Sequence, residues 1–295
     1  MSVRRQLAEW DLRPSKGLGQ NFLIDRAVLG RIADAAELAG DEVVLEVGAG
    51  LGALTELLAR RARRVIAVEI DERLIEPLNA VVGDLANVTV VVGDILSLDL
   101  AAHVDAPREE YVVVANLPYY ITSAVLRRLL EATARPKRMV VTVQREVAER
   151  IVAGPGEMSL LALGVQYYGH PRLLFRVKPG SFYPSPEIES AVLRIDLYDE
   201  PPVVGSDPDE FFRVARAGFA QRRKQLRNAL AAGLRIAPTE AAALLGSAGV
   251  DARRRAQSLS LHEWGRIASE FAQARIAGDR GGDDAAQSRT EIAGR

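Results

Sequence analysis

V-V-L-E-V-G-A-G-L-G-A-L-T-E-L-L-A-R-R-A-R-R-V-I-A-V-E-I-D, from Val43 to Asp71, decides the fold of this 295-residue chain. Its first apolar run, Val43 to Val47, has the length of a buried strand. Glycines follow at Gly48, Gly50 and Gly52, and Leu54, Leu57 and Leu58 then fall at helical spacing. A second apolar run, Val65 to Val68, ends in Glu69. The order is strand, Gly-rich turn, helix, strand, closing on a carboxylate. Glycine lets a backbone turn tightly and approach a ligand closely. A carboxylate at the end of the second strand can accept from both hydroxyls of a ribose. The stretch therefore predicts a nucleoside-type ligand held at the carboxyl ends of parallel strands.

The identity of that ligand stays open at this point. Gly48-x-Gly50-x-x-Ala53 satisfies the dinucleotide fingerprint, and Glu69 stands 21 residues beyond Gly48, the spacing that fingerprint expects. S-adenosyl-L-methionine (AdoMet) fits equally, with its methionine moiety along the turn. A plain strand-to-helix turn without ligand is the third possibility.

Composition narrows the chemistry. The chain is 48% hydrophobic and 26% charged, as soluble proteins are. It has no cysteine, which excludes disulfides, thiol nucleophiles and cysteine-bound metal clusters. His103, His170 and His262 are widely separated and lack metal-ligand spacing. The N-terminal M-S-V-R-R-Q-L-A-E-W lacks the apolar core of a signal peptide, and no apolar run approaches membrane-spanning length. These features predict a cytoplasmic protein. Net charge is −1, yet Glu210 to Arg275 carries 12 Lys and Arg against 5 Asp and Glu. A basic excess inside an otherwise acidic chain points to a polyanion-facing region, or to a solvated helical surface.

Along the chain, residues 1–14 read as irregular. Ser15 to Asp25 is a loop by its glycines, with the amides Gln20 and Asn21 beside Phe22-Leu23-Ile24. Asp25 reads as the N-cap of the next helix. A third strand, Val88 to Val92, ends in Gly93-Asp94, and consecutive strands usually pair. Glu69 would then hold the ribose and Asp94 the amine of adenine. A fourth strand, Tyr111 to Ala115, runs into Asn116-Leu117-Pro118-Tyr119. Pro118 fixes its own φ and keeps Leu117 extended, which can aim the Leu117 carbonyl and the Asn116 side-chain oxygen at one point. Two converging acceptors suit an amino group with two hydrogens, and Tyr119 offers a flat face for the base that carries it.

Thr122 reads as the cap of a following helix, and a fifth strand spans Met139 to Val143. Helical segments cover Arg145 to Ile151 and Ser159 to Tyr168, and strands cover Leu173 to Val177 and Ser190 to Leu197. Pro179, Pro184 and Pro186 stiffen a loop that presents Phe182 and Tyr183, either to stack on an extruded base or to pack in the core. Asp199 to Pro208 is a linker by composition. Beyond it the reading is helical, with Arg223 and Arg227 sharing one helical face beside Arg222 and Lys224. The segment 277–295 reads as a disordered tail. The domains are then 1–200, 207–276 and that tail.

Taken together the motifs resemble the ribosomal RNA adenine N6,N6-dimethyltransferase family, in the branch that modifies two adjacent adenosines near the 3′ end of small-subunit (16S) rRNA. The marks are G-Q-N-F-L at Gly19–Leu23, L-E-V-G-A-G-L-G at Leu45–Gly52, V-E-I-D at Val68–Asp71 and G-D-I-L at Gly93–Leu96. N-L-P-Y, F-Y-P-S-P at Phe182–Pro186 and Q-R-R-K-Q-L-R-N at Gln221–Asn228 complete them. The resemblance covers Lys16 to Ala274. It implies an α/β Rossmann-like class I AdoMet-dependent methyltransferase, a seven-stranded sheet with its last strand antiparallel, and a small C-terminal all-α domain. It implies AdoMet contacts at Asn21, Leu23, Gly48, Glu69, Asp94 and Asn116, with no metal. Catalytic positions are Asn116, Leu117, Pro118, Tyr119 and, for stacking, Phe182. RNA contacts are expected at Arg222, Arg223, Lys224 and Arg227. The implied partner is 16S rRNA in a 30S assembly particle, met by a monomer.

Three rivals remain. A nicotinamide oxidoreductase shares the opening motif but has no use for Asn-Leu-Pro-Tyr. The 23S rRNA adenine methyltransferases of the macrolide-resistance type share the catalytic plan but usually carry Ile where this chain has Leu117. A non-catalytic ribosome-assembly or RNA-binding factor on the same scaffold has no need of an intact Asn116 motif.

Overall fold

The structure is a computed structural model that describes residues 3–104, 110–203 and 207–292, with side chains to 276. The chain divides into two compact units. The first comprises Met1–Val152 and Tyr168–Asp199, and the second Ala153–Tyr167 and Glu200–Arg295.

The first unit is built on nine strands: β1 (Phe22–Leu23), β2 (Val43–Val47), β3 (Arg64–Glu69), β4 (Val88–Val92), β5 (Tyr111–Asn116), β6 (Arg138–Gln144), β7 (Gly169–Val177), β8 (Phe182–Tyr183) and β9 (Ser190–Leu197). Seven of them form one sheet in the order β4-β3-β2-β5-β6-β9-β7. β4, β3, β2, β5 and β6 pair in parallel, and β9 runs antiparallel to both β6 and β7. All five residues of β2 are buried, as expected for a central strand covered on both faces. The two-residue strands β1 and β8 pair with each other in a separate small sheet.

Helices α1 (Val3–Glu9), α2 (Arg26–Ala35), α3 (Ala53–Ala59), α4 (Ile75–Val82), α5 (Thr122–Leu130) and α6 (Arg145–Ile151) belong to this unit. Asp25 caps α2, accepting from the N–H groups of Ala27 and Val28. At α5 the cap position falls on Ile121, and the Thr122 hydroxyl donates instead to the Pro118 carbonyl. The stretch 1–14, read as irregular, contains α1. Val3 and Leu7, one turn apart, give that helix its buried face.

The second unit is helical: α7 (Leu160–Tyr168), α8 (Pro208–Phe219), α9 (Leu226–Leu234), α10 (Pro238–Ser247) and α11 (Leu261–Ile292). Its core brings Tyr167 within 4.5 Å of Phe211 and stacks Phe219 on Trp264, centroid to centroid. A Cβ on Gly218 would come within 2.3 Å of the Trp264 ring, so glycine there sets how closely α8 and α11 approach. The boundary read at residue 200 therefore needs an earlier excursion, since Ala153–Tyr167 packs with these helices. Gly154-Pro155-Gly156 is the local break that marks it. The segment read as a disordered tail is helical as far as Ile292, continuing α11. It contains no proline to stop the helix, and residues 293–295 lie outside the described residues.

Candidate active site

The carboxyl ends of β2, β3 and β5 converge on one cleft, lined by Gly19, Asn21, Gly48, Gly50, Glu69 and Asn116 to Tyr119 among others. Gly48, Gly50 and Gly52 hold φ values of 77°, 58° and 82°, a region that side-chain-bearing residues rarely enter. The N–H groups of Gly48 and Ala49 both donate to the Val68 carbonyl, at 2.9 and 3.1 Å, and fasten the turn to β3.

Glu69 closes the cleft from the next strand. Its Oε2 accepts from the Gly50 N–H at 2.7 Å and its Oε1 from the Asp71 N–H at 2.9 Å. Burial raises its pKa, and these backbone donors hold the rise in check. A carboxylate has about four acceptor sites, so each oxygen keeps capacity for a ligand. Asp71, two residues on, is held below the usual carboxylate range by the Arg73 guanidinium. Gln20 donates to Asp71 at 2.7 Å and accepts from the Ser15 N–H at 2.7 Å. It is a clasp that ties the 15–20 loop to the end of β3.

Asn116, the last residue of β5, is oriented from the same loop. Its Nδ2 donates to the Asn21 carbonyl at 3.0 Å, and the Asn21 side chain in turn donates to the Gly19 carbonyl at 3.1 Å. With the amide nitrogen engaged, Oδ1 is left as an acceptor without a partner among the described residues. Leu117 is 1% exposed and its N–H donates to the Thr142 carbonyl. Its own carbonyl accepts from no described residue. The Tyr119 hydroxyl lies 2.6 Å from Ser190 Oγ, and burial raises its pKa. Two free acceptors and an anchored aromatic face therefore stand together, which suits an exocyclic amine on a planar base.

Not every expected residue reaches this cleft. Leu23 and Phe182 face each other across the β1–β8 pair and are 5% and 3% exposed within the apolar core. Stacking of Phe182 on a base is thereby corrected. Alternation along its short strand turns its ring inward, whereas Tyr183 lies against α1 with Phe22. Leu23 has only its main chain left for a ligand. Asp94 stands beyond the end of β4, outside the lining, where its Oδ1 accepts from the Leu96 N–H at 2.9 Å.

The basic run of the helical unit is also corrected. α8 ends at Phe219 and α9 starts at Leu226, so Arg222, Arg223 and Lys224 lie on a turn and share no helical face with Arg227. Gln225 is extended, with ψ 148°, which breaks the helical run. All four cations are exposed. The Leu226 N–H donates to the Arg254 carbonyl and the Arg227 N–H to that of Ala252, setting the exposed Arg253 and Arg255 beside them.

Glu46 was not singled out from the sequence. It sits in β2, 1% exposed, with Oε2 lacking a partner among the described residues. Burial pushes its pKa up to about 8, Glu69 adds to the rise, and the Thr55 hydroxyl opposes it. A Glu at an all-buried strand position is the signal that was available. Among the described residues no group of His, Asp or Glu could hold a metal ion, and no helix is long and apolar enough to cross a membrane.

The comparisons with known proteins agree with this geometry. A ribosomal RNA small subunit methyltransferase A from Dehalococcoides mccartyi strain CBDB1 is 47% identical over 275 residues, covering 92% of this chain and 94% of its own length. The protein of that name from Geobacillus thermodenitrificans NG80-2 is 40% identical over 271 residues, with 89% and 92% coverage. Of solved structures, the 23S rRNA methyltransferase ErmE is 30% identical, with TM-score 0.69 over 85% of this chain and 99% of its own. A dimethyladenosine transferase from Plasmodium falciparum, 23% identical, shares the fold with TM-score 0.74 over 85% and 98%. The model of the ribosomal RNA adenine dimethylase family matches residues 13–273. With the strand-end cleft and its Asn-Leu-Pro-Tyr acceptors in place, this chain belongs to the ribosomal RNA adenine dimethylase family.

Proposed function

We propose that this chain uses AdoMet to dimethylate the N6 amines of two adjacent adenosines near the 3′ end of 16S rRNA, within a small-subunit assembly particle. The observation that carries the reading is the Asn116 amide, pinned by the Asn21 carbonyl so that its oxygen stands free beside the free Leu117 carbonyl. The cleft fits the cofactor. Its turn is free of Cβ atoms at Gly48 and Gly50, and Glu69 retains acceptor capacity for ribose hydroxyls. Asn21, Gly48, Glu69 and Asn116 would hold it, with Asp94 reading its adenine amine from the neighbouring strand end. When bound, AdoMet supplies a methyl group on an activated sulfonium.

The protein's own task is the nucleophile, because the N6 lone pair of adenine is delocalised into the ring. Asn116 Oδ1 and the Leu117 carbonyl accept the two amine hydrogens and favour a more tetrahedral nitrogen. Pro118 stiffens the turn that aims them, and Tyr119 stacks on the base from a position fixed by Ser190. Orientation of this kind is worth roughly 7–11 kcal/mol. Arg222, Arg223, Lys224 and Arg227 of the helical unit, with Arg253 and Arg255 beside them, would hold rRNA phosphates.

The relatives named for the small subunit, at 40–47% identity, weigh more than the 30% likeness to a 23S enzyme. The deciding experiment is mass spectrometry of 16S and 23S rRNA from small-subunit and large-subunit particles, each incubated with the protein and AdoMet. Two dimethylated adjacent adenosines in 16S rRNA are expected. Methylation confined to 23S rRNA would replace this reading with the large-subunit one.

A further inference from the structure

The residue after the catalytic tetrapeptide has no part in the chemistry above, yet its exposure is unusual for its type. Tyr120 is 62% exposed, the most exposed large apolar-bodied side chain among the described residues. Tyr119, beside it, is half-buried and tied to Ser190. The Tyr120 hydroxyl has no partner among the described residues. Its ring is nevertheless fixed on one edge. A Cβ built on Gly19 would lie 3.2 Å from both Cδ1 and Cε1 of that ring, and Gly19 holds φ at 61°. The ring thus leans on bare backbone of the 15–20 loop. That loop is itself immobilised by the Gln20–Asp71 clasp and by the Gly19 N–H to Lys16 carbonyl bond of 3.0 Å.

Such a ring costs free energy in water and stabilises no core. Exposed aromatic faces beside a nucleic-acid site bind unpaired bases by stacking, because every base has a π-face. The loop under the ring also carries Lys16, exposed and in no ion pair among the described residues, so one loop joins a cation to the aromatic face as a nucleotide requires. We infer that Tyr120 is the stacking platform for the nucleotide adjoining the target adenosine, and so sets which of two neighbouring adenosines enters the cleft. This inference rests on the proposed reaction at adjacent adenosines. It separates two roles within Tyr119-Tyr120: the first ring faces the reacting base, the second holds its neighbour out.

The test uses the full chain on small-subunit particles, comparing wild type, Tyr120→Ala and Tyr120→Phe. AdoMet binding by calorimetry serves as the control for folding. Loss of one base stack is expected to raise KM for the particle roughly 5- to 100-fold in Tyr120→Ala, with a smaller change in kcat. Mass spectrometry should show the two adenosines methylated in a ratio altered from wild type. Tyr120→Phe, which keeps the ring, should stay within about threefold of wild type on both readouts. Wild-type KM and an unchanged ratio in Tyr120→Ala, with AdoMet binding intact, would overturn the inference while leaving the reaction standing. So would equal loss in the Phe and Ala variants, since the hydroxyl would then be the active part. A wild-type protein that leaves adjacent adenosines unmodified would instead remove the underlying reaction.

Discussion

Asn116–Tyr119 and Phe182–Pro186 are alike on paper: both follow a strand or tight turn, both are stiffened by proline, and both offer aromatic rings. They end in opposite places. The first leaves β5 at the centre of the sheet and opens into the cleft, with its acceptors free. The second enters β8, pairs with β1 and turns Phe182 into the core at 3% exposure. A proline-aromatic motif therefore says that a segment is rigid, and its pairing partner decides which way the rigid segment faces.

The sharpest test of that contrast is to cut each segment once. Asn116→Ala removes the acceptor that, in the proposed reaction, acts on the amine in the transition state. Its kcat should fall about 10³-fold, near 4 kcal/mol, with particle binding and melting temperature close to wild type. Turnover near wild type would reduce the tetrapeptide to a structural turn. Phe182→Ala should behave in the reverse manner. It leaves a cavity and destabilises the fold by about 3–4 kcal/mol in denaturant titration. At a temperature where the variant is still folded, its kcat should remain within a few-fold of wild type. A loss of kcat without a loss of stability would return Phe182 to the reacting base.

Two buried carboxylates on neighbouring strands extend the comparison. Glu69 sits at a strand end where backbone N–H groups supply donors, and Glu46 sits inside β2 where none reach Oε2. Burial moves the Glu46 pKa from an ordinary 4.5 to about 8. Between those values the folded state keeps a proton that the unfolded state has lost. Stability is therefore fully present below about 4.5 and declines as pH rises towards about 8. Glu46→Gln keeps the shape and removes the ionisation. It should match wild type at pH 4 and be more stable at pH 7 by at most about 3 kcal/mol, measured by unfolding at each pH. A stability difference that does not change with pH would show that Glu46 is already ionised in the fold.

What was legible in the sequence follows from range. The placement of the Gly-rich turn, Glu69 and Asn116–Tyr119 around one cleft was legible because each motif spans only a few positions, and parallel strands deliver their ends to one edge. The inward face of Phe182 was not, because it depends on Leu23, its partner across the β1–β8 pair. Nor was the burial of Glu46 without a donor, which depends on the packing of the whole sheet. The Val3–Leu7 spacing that makes α1 was present but short, and a single turn of apolar spacing is a weak signal. The Arg223–Arg227 face failed for a different reason. Counting by four presumes a continuous helix, and extended Gln225 ends it.

A turn and a helix present these cations to a polyanion differently. On a helix, Arg223 and Arg227 would track one line of phosphates together. On the turn, the exposed Arg222, Arg223 and Lys224 precede α9, with Arg253 and Arg255 brought near through the Leu226 and Arg227 backbone bonds. If rRNA docks here as proposed, such a cluster would hold a curved backbone through several individually weak phosphate contacts. Phosphate contacts position a substrate without reading its bases, so the cleft remains the site of choice between adenines. Replacing Arg223 and Arg227 together with Ala should flatten the salt dependence of particle binding by about one to two units in log–log slope. AdoMet affinity should not change, because none of the cleft residues lies in the helical unit. Arg253→Ala should add a smaller flattening on top, whereas a helical face would have left it silent. If the double variant keeps the wild-type slope, the basic turn is solvated surface, and the phosphates must be held by the sheet unit, with Lys16 the first residue to replace.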